Sequence, residues 1–211
     1  MSFSKGLFLR SSHTCPLSFL FYKNIPRLLY ILFYICYTIF MKYDYTSLYN
    51  KNAAFLYSRP QVKRAVLAYN QYVPYFFLAA YALLWVFGAW KLKFEAVDFV
   101  KIFCAPAFAL LFVSTVRLAI NRPRPYEEEG AQIIPLQEKT SKGNSFPSRH
   151  LTCATVIATA FLPYLSAFGA LLLIMSLALG YTRFAIGWHY PSDVIAGFLL
   201  GLVIGIIPML L

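Results

Sequence analysis

One polar stretch, residues 180–193 (GYTRFAIGWHYPSD), lies between two long apolar segments and carries side chains that could do chemistry. Arg183 could hold an anion, and His189 is a base or nucleophile near neutral pH. Asp193 follows His189 by four positions, so its carboxylate could bind one ring nitrogen and leave the other free to react. Taken alone, such a pair near a helix start is more often structural than catalytic.

A second polar cluster, RLAINRPRP, closes another apolar run with Arg117, Arg122 and Arg124. Arginine presents a planar fork of donors that matches phosphate oxygens. Interfacial anchoring is the alternative role for these arginines. A phosphate-binding role therefore depends on what lies near them in space.

The third cluster, GNSFPSRH, leads directly into an apolar run. We expect Pro147 to begin a helix, so that Ser148 and the free N–H groups of the first turn face an anion. His150 lies in the same turn, where the alternative is a hydrogen-bonded interfacial histidine. If the three clusters meet, they supply what phosphoryl transfer through a covalent intermediate needs: a nucleophile, a proton donor and cations.

At these residues the sequence resembles the type 2 phosphatidic acid phosphatase superfamily, whose soluble relatives include the vanadium haloperoxidases. The family shows three motifs in fixed order: Lys-x6-Arg-Pro, Pro-Ser-Gly-His and Ser-Arg-x5-His-x3-Asp. The order and spacing are kept here, with three departures from the motif residues. The segments read Arg117-x6-Arg124-Pro125, Pro147-Ser148-Arg149-His150 and Thr182-Arg183-x5-His189-x3-Asp193, with Arg117 for Lys, Arg149 for Gly and Thr182 for Ser.

The resemblance implies a role for each matching residue. His189 is similar to the nucleophile that forms a phosphohistidine, Asp193 to the carboxylate that orients it, and His150 to the general acid for the leaving group. It also implies that no metal or cofactor is needed. The phosphate would be bound by Arg117, Arg124, Ser148, Arg149 and Arg183.

Arg149 is the departure with the largest expected consequence, because glycine allows close backbone approach and arginine adds a cation at the rim. Our hypothesis is that Arg149 contacts a second anionic group, such as another phosphate or a headgroup. The acidic run at residues 127–129 is expected to be a solvated face.

The composition determines the class of protein that must position these groups. The chain has 211 residues, of which 60% are hydrophobic and 13% charged, whereas a soluble domain is about a quarter charged. It is therefore interpreted as an integral membrane protein. The net charge of +11 is assigned to contacts with lipid headgroups or a phosphorylated substrate, since no nucleic-acid-binding motif accompanies it.

The apolar runs predict an all-α, polytopic membrane bundle of about six transmembrane helices. Residues 1–41 form an N-terminal segment whose apolar run, 28–41, is short for a full span of about 20 residues. Residues 42–72 form an interfacial segment with an amphipathic helix from Pro60. Residues 73–211 form the catalytic bundle, with spans at 73–90 and 97–120, a hairpin within 151–182 and a last span at 194–211.

The hairpin follows from length, because residues 151–182 would make a single helix of about 48 Å across a core of about 30 Å. Pro163 and Gly169 suggest the break, and two antiparallel spans return His189 to the membrane face of His150. Gly197, Gly201 and Gly205, four apart, predict close helix packing.

The sequence thus predicts a lipid phosphatase acting on a lipid phosphate monoester or pyrophosphate. Two alternatives stay open: a lipid phosphotransferase using the same intermediate, and an anion transporter with an arginine selectivity ring. We expect a plasma-membrane location with the site facing away from the cytoplasm, as is usual in the family. If residues 1–40 do not belong to the functional protein, the basic segment 42–72 favours the opposite orientation under the positive-inside rule. The sequence does not indicate an oligomeric state.

Overall fold

The computed structural model describes residues 45–128 and 133–210, and the predicted span at 28–41 lies outside them. The described residues are helices joined by turns and one long loop. The α-helices are α1 (Tyr45–Ser58), α2 (Pro60–Phe87), α3 (Ala96–Ile120), α4 (Arg149–Phe161), α5 (Ser166–Ala185) and α6 (Pro191–Leu210). A π-helical turn, Gly88–Leu92, follows α2, and a short 3-10 helix, Pro125–Glu127, follows α3.

Helix α2 runs without interruption through the predicted boundary at residue 72. The amphipathic segment from Pro60 and the span from Val73 are therefore one helix of 28 residues, with Pro74 inside it. Its buried side chains are spaced alternately three and four apart, so they form one narrow stripe facing the bundle. They are Asn70, Val73, Phe77, Ala80 and Leu84.

The chain reverses between α4 and α5, as the length argument predicts. The turn occupies residues 162–165 and contains Pro163. Gly169 is not in the turn but inside α5, where a side chain would meet the backbone of Leu162 and Ala158. The break therefore comes at the proline, and the glycine allows α5 to pack closely against the end of α4.

Helix α4 is the centre of the bundle, with ten of its 13 residues buried. Its apolar side chains contribute to two clusters, one shared mainly with α2 and α5 and the other with α3 and α6. The predicted glycine stripe on α6 packs against it: a side chain at Gly201 would meet the Thr155 side chain and the Thr152 carbonyl. We call this α4–α6 contact the glycine seam.

Among the described residues, four helical segments are long and apolar enough to cross a membrane: Pro60–Leu92, Ala96–Glu127, Ser166–Ala185 and Pro191–Leu210. Helix α4 has only 13 residues and is enclosed by the others. The protein is an integral membrane protein whose described part is an α-helical bundle. Because α3 to α6 alternate in direction, the end of α3, the start of α4, the end of α5 and the start of α6 lie at one end of the bundle.

Candidate active site

A cavity of about 350 Å³ lies at that end of the bundle. Five of the eight predicted site residues line it, although they come from four separate parts of the chain. The long loop 133–148 also contributes Lys139, Ser141 and Lys142. The five predicted residues on the wall are Arg117, Arg124, Arg149, His150 and His189.

His189 is held by the carboxylate of Asp193, as the four-residue spacing predicts. The ring Nδ1 lies 3.4 Å from Asp193 Oδ2, and both residues are almost fully buried. Pro191 opens α6, so Asp193 lies in its first turn and the intervening residues bend the chain back to His189. Since Nδ1 faces the carboxylate, Nε2 is the nitrogen left to react.

Burial keeps His189 neutral. The pKa of His189 is lowered to about 4, chiefly by loss of solvent, with smaller contributions from Arg124 and Arg183 and with Asp193 acting in the opposite direction. A neutral imidazole is the state that can attack an electrophile, so this histidine is ready to act as a nucleophile at neutral pH.

Two cavity arginines are anchored through backbone carbonyls. Arg117 donates to the Pro147 carbonyl at 3.0 Å. Arg124 donates to the carbonyls of Gly143 and Trp188, each at 3.1 Å. Neither forms an ion pair with a described carboxylate, so both guanidinium charges remain available to an anion in the cavity.

Ser148, Arg183 and Asp193 are buried and are not among the residues that line the cavity. The Ser148 hydroxyl and the Arg183 Nε are buried and have no hydrogen-bond partner among the described residues. Helix α4 begins at Arg149 rather than at Pro147, so Ser148 is the residue just before the first turn. Its buried hydroxyl and the Arg183 Nε are polar groups that a bound anion could satisfy.

Two side chains outside the predicted site set bind the Asp193 carboxylate, in addition to the Tyr190 backbone N–H at 3.0 Å. Arg122 forms a 2.8 Å ion pair with Asp193 Oδ1, and Ser145 Oγ donates to Oδ2. The sequence places Arg122 in a basic cluster but does not indicate its pairing with this carboxylate. Ser145 follows Gly143 and Asn144 in an irregular loop, where no periodicity predicts its neighbours.

The acidic run is more than the solvated face expected from the sequence: Glu128 is exposed and Glu127 half-buried, and both carboxylates accept hydrogen bonds. The Glu127 carboxylate accepts hydrogen bonds from the backbone N–H groups of Gly143 and Arg124, each at 2.9 Å. Glu128 accepts from the Tyr190 hydroxyl at 2.8 Å, and residue 129 lies outside the described part. These carboxylates fasten the loops that carry Arg124 and His189, because they find donors across the loop junction.

The sequence profile of the PAP2 superfamily matches residues 98–211. The chain belongs to the PAP2 superfamily. The match covers all eight predicted site residues and starts near the beginning of α3, so α1 and α2 precede it.

Two bacterial proteins are similar to part of the chain. The chain is 32% identical over 102 residues to a lipid A 1-phosphatase of Rhizobium johnstonii, covering 47% of this chain and 42% of that protein. It is 30% identical over 133 residues to the undecaprenyl-diphosphatase BcrC of Bacillus subtilis, covering 61% of this chain and 65% of BcrC. The chain thus spans less than two thirds of either relative.

Two crystal structures share the fold. A PAP2-type phosphatidylglycerolphosphate phosphatase from Bacillus subtilis superposes with a TM-score of 0.64 over 87% of this chain and 94% of that one, at 18% identity. LpxE of Aquifex aeolicus superposes with a TM-score of 0.50 over 67% of this chain and 87% of that one, at 25% identity. Both confirm the membrane helix bundle.

Proposed function

We propose that this protein is a metal-independent lipid phosphatase that works through a phosphohistidine on His189. The observation that carries the proposal is the pairing of His189 with Asp193 at the wall of a cavity that Arg117, Arg124 and His150 also line. A nucleophile, its orienting carboxylate, a second imidazole and unpaired guanidinium groups are the components of phosphoryl transfer.

In the first step, His189 Nε2 attacks phosphorus while the bond from phosphorus to the leaving oxygen breaks. His150 donates a proton to that oxygen, so the lipid product departs neutral at the cleaved bond. Arg117 and Arg124 balance the charge on the equatorial oxygens, with Arg183 and Ser148 behind them. Asp193 stabilises the positive charge that develops on the His189 ring.

In the second step, water attacks the phosphohistidine. His150, having lost its proton, now accepts one from the water as the new oxygen–phosphorus bond forms. The nitrogen–phosphorus bond breaks, and inorganic phosphate leaves with both histidines restored. A phosphotransferase would share the first step and replace water by another acceptor.

The substrate class follows from the setting of the cavity. It opens at the end of a membrane bundle, where a headgroup can enter while the apolar tail stays in the bilayer. The relatives include proteins named for lipid A and for undecaprenyl diphosphate, which supports lipid monophosphates and diphosphates as candidates. Arg149 lines the cavity and is exposed, which suits our hypothesis that it contacts a second anionic group.

The test is phosphate release by detergent-purified protein from a panel of lipid mono- and diphosphates, with and without a chelator. We expect chelator-resistant release that disappears in His189→Ala. Release by the variant at the wild-type rate, or no release from any lipid, would contradict the hydrolase.

In the same panel, an unchanged preference between mono- and diphosphates in Arg149→Gly would refute the role given to Arg149.

We also propose that the cavity faces away from the cytoplasm in the plasma membrane, following the family resemblance. Substrate binding accounts for several arginines that would otherwise count towards a cytoplasmic face. A Ser141→Cys variant in a chain without its native cysteines tests this with a membrane-impermeant maleimide. Labelling in intact cells is expected, and labelling only after permeabilisation would reverse the orientation.

A further inference from the structure

The cavity contains a cation that no motif of the sequence analysis includes. Lys139 belongs to the long loop and lines the cavity beside Arg124 and Arg149. Its Nζ lies 4.0 Å from the centroid of the Trp188 ring, and Trp188 immediately precedes His189. Lys139 therefore contacts the residue before the proposed nucleophile and lines the same cavity as His189.

The loop around Lys139 is fastened to the same tryptophan. The Trp188 indole donates to the Gln137 carbonyl at 2.9 Å, and the Arg183 guanidinium lies 5.1 Å from the ring centroid. The ring is thus in contact with two cations, and such contacts with an aromatic face are attractive but weak. This arrangement holds the ammonium group at the cavity without neutralising it.

Positive charge surrounds Lys139 from every neighbouring element, and no described Asp or Glu forms an ion pair with it. Burial first, and then four arginines, lower the pKa of Lys139 to about 7. The groups facing it are Arg117 on α3, Arg124 after α3, Arg149 and His150 on α4, and Arg183 on α5, with Lys142 on its own loop and His189 on the cavity wall.

The cavity carries more positive charge than is needed to balance one phosphate group. A monoester brings at most two negative charges, whereas a lipid diphosphate brings up to three. We propose that Lys139 is a specificity-determining residue that binds the phosphate departing with the lipid when a lipid diphosphate is cleaved. The inference rests on the proposed hydrolase and adds the substrate class that the cavity favours.

The charge balance gives Lys139 a defined role in the step. As His189 bonds to the terminal phosphorus, the bridging oxygen leaves on the lipid monophosphate and takes the proton from His150, while the second phosphate keeps the negative charge of its own oxygens. A protonated Lys139 offsets that charge among the arginines, whereas a neutral lysine does not. A monophosphate substrate has no second phosphate, so its cleavage does not use Lys139.

The first test compares kcat/KM for a lipid diphosphate and the matching monophosphate in wild type and Lys139→Gln. Loss of a charge-assisted contact predicts a decrease of about tenfold or more for the diphosphate, and a much smaller decrease for the monophosphate. The control is Lys63→Gln, because Lys63 Nζ also lies 4.0 Å from an aromatic centroid, that of Tyr57, but outside the cavity. An equal effect on both substrates would overturn the inference.

The second test uses pH, to which a merely structural lysine would not respond. In wild type the diphosphate-to-monophosphate ratio of kcat/KM should fall above about pH 7, as Lys139 loses its proton in the free enzyme. Lys139→Arg should hold the ratio constant to about pH 9, since guanidinium keeps its charge. A ratio that falls equally in Lys139→Arg would refute the assignment.

A binding measurement separates this inference from the hydrolase itself. The thermal stabilisation of His189→Ala by inorganic pyrophosphate should exceed that by inorganic phosphate, and Lys139→Gln should remove the difference. This readout needs no turnover, so it distinguishes failure of the Lys139 assignment from failure of the catalytic proposal. Equal stabilisation by the two anions before the lysine is changed would contradict the second phosphate contact.

Discussion

Helices α2 and α4 belong to one bundle but are used in different ways. Ten of the 13 residues of α4 are buried, whereas five of the 28 residues of α2 are. Helix α4 meets α6 along the glycine seam, and the candidate site lies at the end of that seam. Large apolar side chains of helix α2 point outward; Leu83, for example, is 67% exposed.

This difference explains where the chemistry can be built. His150 lies in the first turn of α4 and Asp193 in the first turn of α6, so the distance between the two helices fixes the proposed acid relative to the carboxylate that orients the nucleophile. Without side chains at the seam glycines, that distance is short and leaves little freedom. A lipid-facing helix has no comparable constraint, and α2 contributes no residue to the cavity wall.

The largest expected difference in phosphate release is between substitutions of two aspartates, Asp193 at the candidate site and Asp98 at the other end of the bundle. Asp193→Asn removes the charge that orients His189 and pairs with Arg122, so phosphate release should fall on the order of 10³-fold or more. Asp98→Asn, which lies at the other end of the bundle and bonds Tyr164, should retain release within about twofold. Steady-state rates of the purified variants measure both. Similar losses would mean that Asp193 acts only structurally.

A smaller contrast separates the seam from the lipid-facing surface. A side chain at Gly201 would approach the Thr152 carbonyl to 2.8 Å, and a backbone atom cannot rotate away. Gly201→Val should therefore destabilise the protein by about 1–3 kcal/mol. The control is Ala79→Val on the exposed side of α2, which should change little. Thermal inactivation in one detergent measures both, and equal stability would contradict the seam.

The smallest effect concerns pH. His189 has a pKa of about 4 in the folded protein and about 6.5 when unfolded. The unfolded chain therefore binds the extra proton between these values, and this residue's contribution to stability is kept above about pH 6.5 and lost as pH falls towards 4. The thermal midpoint of His189→Gln should fall less steeply over that window. Parallel curves would show that His189 is not held neutral.

The parts of the fold that sequence predicted are those with local signals. Length and Pro163 located the hairpin, Pro191 marked the start of α6, and the glycine stripe identified the seam. The predicted boundary at residue 72 is not a break. Lys63 and Arg64 suggest an interfacial segment, but the same helix continues from them into the buried stripe that begins at Asn70. Basic residues on an exposed helix face do not interrupt the helix.

In the candidate site, too, sequence predicts some residues and not others. Motif spacing identified the residues that now surround the cavity, since each motif ends or begins a helix. It did not identify Lys139, Ser145 or the partner of Arg122, because these contacts join a non-periodic loop to residues about 50 or 70 positions away. Such pairings depend on how the loop closes over the bundle, which local sequence does not encode.

The central claim, a covalent intermediate on His189, is tested most directly by trapping it. The protein would be mixed with a lipid phosphate labelled with ³²P, denatured at alkaline pH during turnover and digested for peptide mapping. The account predicts a base-stable, acid-labile phosphoryl group on the peptide containing His189, absent from His189→Ala. Phosphate on a different residue, or turnover by His189→Ala at the wild-type rate, would contradict it.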